Sequence, residues 1–280
     1  MRIALLTMLT MLAFAANSIL NRLALAEGEI GPAGFAAMRV AAGCAVLFAL
    51  LALRDRAPPR LLRPDAGAVL GLSAYMLGFS FAYVSMDAGI GALVLFGGVQ
   101  ITMFLGALTE GERPPPQRSA GMLLAFGGLV ILSAPTGPVS VTPVALVLMS
   151  VAALGWGVYS LIGRGAVDPL QATGGNFLYS LPLVLVALVI WPDSVPASGQ
   201  GLALAALSGG VTSAMGYALW YALLPSLGAT RGALAQLSAP AIAFCLGALL
   251  LGEAVTFVAV LAGALILGGI VVGLVPWRRA

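Results

Sequence analysis

Residues 88–112, AGIGALVLFGGVQITMFLGALTEGE, recur at a constant offset of 141 as residues 229–253, ATRGALAQLSAPAIAFCLGALLLGE, with 11 of 25 positions identical. The same offset carries Gly127 and Gly128 onto Gly268 and Gly269, and an offset of 142 carries Asn17, Ser18 and Arg22 onto Tyr159, Ser160 and Arg164. The chain is therefore a tandem duplication over nearly all its length. If each copy holds an odd number of membrane spans, the second copy enters the bilayer upside down. Inverted copies of this kind place a substrate site at their interface.

That the spans exist follows from composition. Of 280 residues, 61% are hydrophobic and 8% charged, too little polar surface to cover a water-soluble globule. A crossing helix needs about 20 apolar residues, and ten such segments are legible: approximately 3–25, 31–53, 66–86, 89–109, 117–134, 142–163, 170–191, 201–224, 229–251 and 254–275. The expected fold is an all-α integral membrane protein of ten transmembrane helices in two inverted five-helix repeats, residues 1–134 and 142–275, joined by a Pro- and Gly-containing linker at 135–141. Connections are short, so no ATPase or nucleic-acid module fits between them. The first span ends in Ala24-Leu25-Ala26, which resembles a signal-peptidase site. Its length, its polar residues and its match to the sixth span point to retention.

All 13 basic residues are arginine. Without Lys or His there is no Schiff-base lysine, no imidazole base and no His-ligated metal, and no cofactor or metal site is expected. Ser208-Gly209-Gly210 lacks any base to activate a serine, which argues against an intramembrane enzyme. Cys44 and Cys245 stand singly in apolar spans and read as small hydrophobes. With the N-terminus in the cytoplasm, Arg2, Arg54, Arg56, Arg60, Arg63, Arg113, Arg118, Arg164, Arg231, Arg278 and Arg279 lie inside against Arg22 outside. This satisfies the positive-inside rule with both termini cytoplasmic. Small residues at four-residue spacing, Gly67 with Gly71, Ala74 with Gly78 and Gly269 with Gly273, suit close helix packing.

Candidate site residues cluster by the repeat. Tyr75, Phe79 and Tyr83 recur every four residues on one face of the third span. Phe79 aligns with Trp220, Phe14 with Trp156 and Asn17 with Tyr159, and Tyr217 joins Trp220 on the eighth span. The amides Gln100 and Gln236 add polar groups. Together these residues are expected to line one cavity. Gly97 and Gly98 in the fourth span and Pro240 in the ninth read as helix breakers at matching depth, and so as candidate hinges, since unpaired backbone groups at mid-bilayer need protein or a water-filled cavity to satisfy them. Arg39 is the one charge inside a span; it either meets a substrate carboxylate or snorkels to the interface. No carboxylate lies near mid-bilayer. Asp87, Glu110, Glu112, Asp193 and Glu253 all fall at span ends, where they cap helices or meet water. Buried acids or histidines usually carry protons in coupled pumps, so transport down the substrate gradient is expected.

Ten spans in two copies, each with a GALxxGE-type segment between its fourth and fifth spans (Gly106 to Glu112; Gly247 to Glu253), resemble the EamA branch of the drug/metabolite transporter superfamily along the whole chain. Given Tyr75 and Trp156, the chain is most similar to the YddG-type aromatic amino-acid exporters. The resemblance implies alternating access across a bacterial inner membrane and export of amino acids, with cationic drugs such as methyl viologen as an alternative. Small multidrug pumps of related, half-size design keep a membrane-embedded Glu in their first span. Phe14 and Asn17 occupy that region here, against a proton/cation antiporter. A sugar-type carrier of the same superfamily, a channel and a lipid flippase remain open. The expected partners are a small solute and the lipid bilayer, with no nucleic acid and no obligate protein partner.

Overall fold

The computed structural model of the chain describes residues 2–57, 65–109, 116–133, 141–163, 165–220, 222–223, 226, 235–236 and 238–274. Among these residues there are ten helices and no strand. They are α1 (Arg2–Ala26), α2 (Pro32–Asp55), α3 (Ala66–Ala82), α4 (Ala88–Thr109), α5 (Pro116–Ser133), α6 (Pro143–Gly163) and α7 (Pro169–Ile190). Then come α8 (Gly199–Trp220), α9 (Ser238–Leu251) and α10 (Phe257–Leu274). Six of them, α1, α2, α4, α6, α7 and α8, are long and apolar enough to cross a membrane; the other four are shorter apolar helices over their described residues. Arg60, Arg63, Glu110, Glu112, Arg113, Arg164, Arg231, Arg278 and Arg279 lie outside the described residues, as does the linker up to residue 140.

Helix starts follow local chemistry. The Asp65 carboxylate accepts from the Ala68 amide at 3.0 Å, Asp168 from Gln171 at 3.1 Å and Ser198 from Gly201 at 2.9 Å. Each supplies an acceptor to a donor left unpaired in a first helical turn. Proline opens α2, α5, α6 and α7, where its missing N–H costs nothing. Two span-end acids reach across to cap other helices. Asp193 accepts from Ala33 and Gly34 at the start of α2, and Glu253 accepts from Ala88 and Gly89 at the start of α4.

Packing joins the two sequence copies throughout: α2 lies on α7, α5 on α10, α4 on α9, α3 on α6, and α1 on α8. Small residues set the closest approaches. A Cβ on Gly71 would stand 2.8 Å from the Gly155 carbonyl, and one on Gly155 would stand 2.5 Å from the Gly71 carbonyl. The same reciprocal approach joins Gly121 of α5 to Gly269 of α10. In lipid, where no hydrophobic gain separates helix from acyl chain, such backbone proximity is what van der Waals packing requires.

The irregular backbone is not at the glycine pair of α4. Helix α4 runs unbroken through Gly97, Gly98 and Gln100, and Gly98 makes room for the Ala153 methyl. Pro240 lies within α9, and residue 237 just before Ser238 is outside the described residues. The break is in α8, whose middle, Ser208–Met215, opens into a π-helical turn. Such wide turns frequently mark functional sites.

Candidate functional site: an aromatic cavity between the sequence copies

A small cavity lies among α1, α3, α4, α6 and α8, lined by Phe14, Asn17, Ser18, Tyr75, Phe79, Leu95, Phe96, Trp156, Thr212 and Tyr217. The lining comes from both sequence copies, and it contains no carboxylate.

Trp156 is the centre of the ring cluster, with centroids 5.0 Å from Tyr75, 4.7 Å from Tyr217 and 5.5 Å from Tyr159. Phe14 meets Tyr217 edge-on at 5.9 Å and Trp220 at 6.0 Å. On α3, Phe79 packs between Tyr75 at 5.3 Å and Tyr83 at 4.6 Å. These tilted and edge-to-face contacts each contribute roughly 0.5–1.5 kcal/mol beyond burial. They hold the rings in fixed orientations around the void.

Polar groups gather on one side. The Asn17 side-chain oxygen accepts from Ser208 at 2.7 Å and Thr212 at 2.9 Å, while Asn21 donates to the Asn17 carbonyl at 2.8 Å and to Ser208 at 3.2 Å. The π-helical turn of α8 presents these hydroxyls to α1, and Ser213 of the same turn faces α2. Gly209 lets the turn touch α2, since a Cβ there would collide with the Arg39 carbonyl oxygen.

Arg39 does not snorkel. It is fully buried, the largest such side chain among the described residues. Its Nε donates to Ser213 at 3.1 Å and one terminal nitrogen donates to the Tyr75 hydroxyl at 2.9 Å. The guanidinium carbon lies 5.1 Å from the centroids of both the Tyr75 and Phe79 rings. A desolvated cation–π contact is worth about 2 kcal/mol, against about 2.5–3.5 kcal/mol for arginine at a helix centre on insertion scales. The other terminal nitrogen has no hydrogen-bond partner. Among the described residues no acid lies within ion-pair distance of Arg39, whereas Arg22 reaches Asp87 and Glu253, and Arg54 reaches Asp55 and Asp168.

Six of the residues selected from sequence line the cavity: Phe14, Asn17, Tyr75, Phe79, Trp156 and Tyr217. Tyr159, Trp220 and Tyr83 form a second layer. Tyr159 stacks on Trp156 and bonds Thr173 at 3.4 Å; Trp220 braces Phe14; Tyr83 donates to the Ala88 carbonyl at 3.2 Å. Gln100 and Gln236 are not part of the wall. Ser18, Leu95, Phe96 and Thr212 are, and sequence reasoning missed them. The hydroxyls Ser208, Thr212 and Ser213 in an otherwise apolar span gave no distinct signal, since such groups ordinarily bond their own helix.

Away from the cavity, two acids at span ends are perturbed in opposite directions. Burial pushes the Glu253 carboxyl above the usual range, with the Ala88 and Gly89 amides pulling the other way. The Arg54 guanidinium beside Asp168 holds that carboxyl below its usual value.

Sequence comparison finds the EamA-like transporter family over residues 1–134 and again over 143–275. An uncharacterized protein of Pseudomonas aeruginosa is 45% identical over 275 residues, covering 98% of this chain and 95% of that one. A protein of Escherichia coli named "Probable amino-acid metabolite efflux pump" is 27% identical, over 81% of each chain. Among solved structures, one titled "Crystal structure of protein" superposes with a TM-score of 0.72 at 23% identity, covering 100% of this chain and 99% of that one. At that identity the likeness speaks to the fold alone.

Proposed function

Since the chain belongs to the EamA-like transporter family, and so is a multi-pass membrane transporter, we propose that it exports small neutral or zwitterionic solutes, aromatic amino acids first among them. The observation that carries this reading is the ring-lined void around Trp156, with Tyr75 and Tyr217 at 5.0 and 4.7 Å. Aromatic walls favour a flat apolar side chain by stacking and edge contacts. One polar flank, built from Asn17 and the hydroxyls of α8, suits the backbone of an amino acid. The name of the E. coli relative is in keeping with this substrate class.

In this reading the two copies, residues 1–134 and 142–275, are inverted five-helix repeats that rock about the cavity, opening it alternately to each face of the bacterial inner membrane. Both termini are cytoplasmic. Because the cavity wall carries no acid, substrate moves down its own gradient without a coupled proton. A cationic-drug reading is disfavoured by the buried positive charge of Arg39 behind Tyr75.

The test is counterflow. Liposomes holding purified protein and unlabelled phenylalanine inside should transiently accumulate labelled phenylalanine from outside, saturably and with no response to an imposed pH gradient. Trp156→Ala should abolish the accumulation. Absence of counterflow by folded wild type would overturn the amino-acid reading, and strong accumulation driven by the pH gradient would overturn the uncoupled mechanism.

A further inference from the structure

We propose that Arg39, acting through the Tyr75 hydroxyl, makes the polar flank of the cavity a carboxylate-recognition corner and thereby selects anionic and zwitterionic solutes over amines. The inference rests on the reading of the cavity as the transport site. It begins from the hydrogen bonds around one oxygen. The Tyr75 hydroxyl oxygen accepts from Arg39 at 2.9 Å, and it is approached by the Tyr217 hydroxyl at 3.3 Å and the Asn17 amide nitrogen at 3.4 Å. With donors converging on that oxygen, the Tyr75 proton is free to be offered elsewhere, and Tyr75 is part of the cavity wall.

One acceptor nearby, the buried Asn21 side-chain oxygen, has no partner. The Asn17 side-chain oxygen takes the Ser208 hydroxyl proton, and the Thr212 hydroxyl stands 2.9 Å from both that oxygen and the Ser208 carbonyl. What remains besides the Asn21 oxygen is one unpaired donor, on Arg39, and the positive charge it carries. One terminal nitrogen of Arg39 has no partner although the side chain is fully buried, and no acid among the described residues lies within ion-pair distance of it. Arg39 stands behind Tyr75 rather than in the cavity wall, and so it acts as a positioning residue. It orients the Tyr75 hydroxyl, polarises it toward donation and sets a positive potential in a region of low dielectric. The complementary group is planar, anionic and acceptor-only: a carboxylate. The aromatic cluster on the opposite flank would then take the side chain of the same solute.

The experiment separates carboxylate from amine. Detergent-solubilised wild type is heated with 3-phenylpropionate, which keeps ring and carboxylate, or with phenethylamine, which keeps ring and amine. The expected result is a rise in melting temperature at concentrations of 3-phenylpropionate at least tenfold below those needed with phenethylamine. Equal responses, no response to either, or preference for the amine would overturn the proposal. In liposomes, Arg39→Gln should reduce the phenylalanine-to-phenethylamine transport ratio at least tenfold, and Arg39→Lys should recover part of it. A merely structural role would lower both substrates together and leave the ratio intact. Wild type that transports phenylalanine while Arg39→Gln leaves the ratio unchanged removes Arg39 from recognition without touching the amino-acid reading. Wild type that carries neither compound removes that reading, while the melting experiment still decides the carboxylate preference.

Discussion

Arg39 and Arg54 stand on the same helix, α2, and meet opposite surroundings. Arg54, with a side chain 40% exposed, holds Asp55 at 2.6 Å and Asp168 at 2.8 Å. Arg39 is wholly buried and is held only by hydroxyls and ring faces. Water and neighbouring acids neutralise the first charge, so its pairs contribute at most about 1 kcal/mol. The second charge bears desolvation that the rings offset only in part. In a chain with only 8% charged residues, the contrast is what the proposed carboxylate-recognition role of Arg39 sets out to explain.

The sharpest way to break that contrast is to remove each charge. Arg39→Gln should lower the initial rate of phenylalanine transport at least about tenfold, the loss of one charge-assisted hydrogen bond. Arg54→Gln should change the rate less than about twofold. Efflux rates from liposomes with matched protein content decide this, and comparable losses in both variants would erase the distinction.

A second comparison concerns the backbone that carries Arg39. Gly209→Ala forces a methyl against the Arg39 carbonyl oxygen and should destabilise the protein by about 1–3 kcal/mol, as overpacking generally does. Gly175→Ala on α7 meets nothing within 4 Å and should be neutral or gain up to about 1 kcal/mol from helix propensity. Thermal unfolding in detergent measures both.

The smallest effect belongs to the exposed pair. Asp168 titrates below its ordinary value because Arg54 favours its charged form. Its contribution is therefore complete above the unfolded carboxylate value of about 3.9 and is lost as pH falls through the lower folded value. Glu253 has the opposite sign: burial favours its protonated form, so stability declines as pH rises from about 4.3 through its raised folded value. Asp168→Asn should flatten the acid limb of the melting curve by at most about 1 kcal/mol, and Glu253→Gln should remove the decline at higher pH. Unchanged pH profiles in both variants would show that neither acid governs them.

Much of this was legible beforehand, for identifiable reasons. Helix order follows from apolar length, and the ring cluster follows from Tyr75 and Phe79 at four-residue spacing together with the alignment of Phe14 on Trp156. The polar flank was not legible. A Ser or Thr in an apolar span ordinarily bonds the carbonyl four residues back, as Thr10 and Ser150 do here, so sequence alone does not separate Ser208 and Ser213 from those. Gly97 and Gly98 misled for a related reason. Glycine pairs suggest a break, yet Gly98 serves close packing against Ala153, while the wide turn formed in α8, where Gly209 permits contact with α2. The role of Arg39 stayed open because its depth in the bundle depends on how α2, α3 and α8 pack.

The most direct test of the central claim is to locate bound phenylalanine in a structure of the protein, using a bromine-labelled analogue to fix the ring. The account predicts the ring among Phe14, Trp156 and Tyr217, with the carboxylate toward Tyr75. Density elsewhere, such as the small pocket beside Asp87 and Glu253, with the aromatic cavity empty, would contradict it.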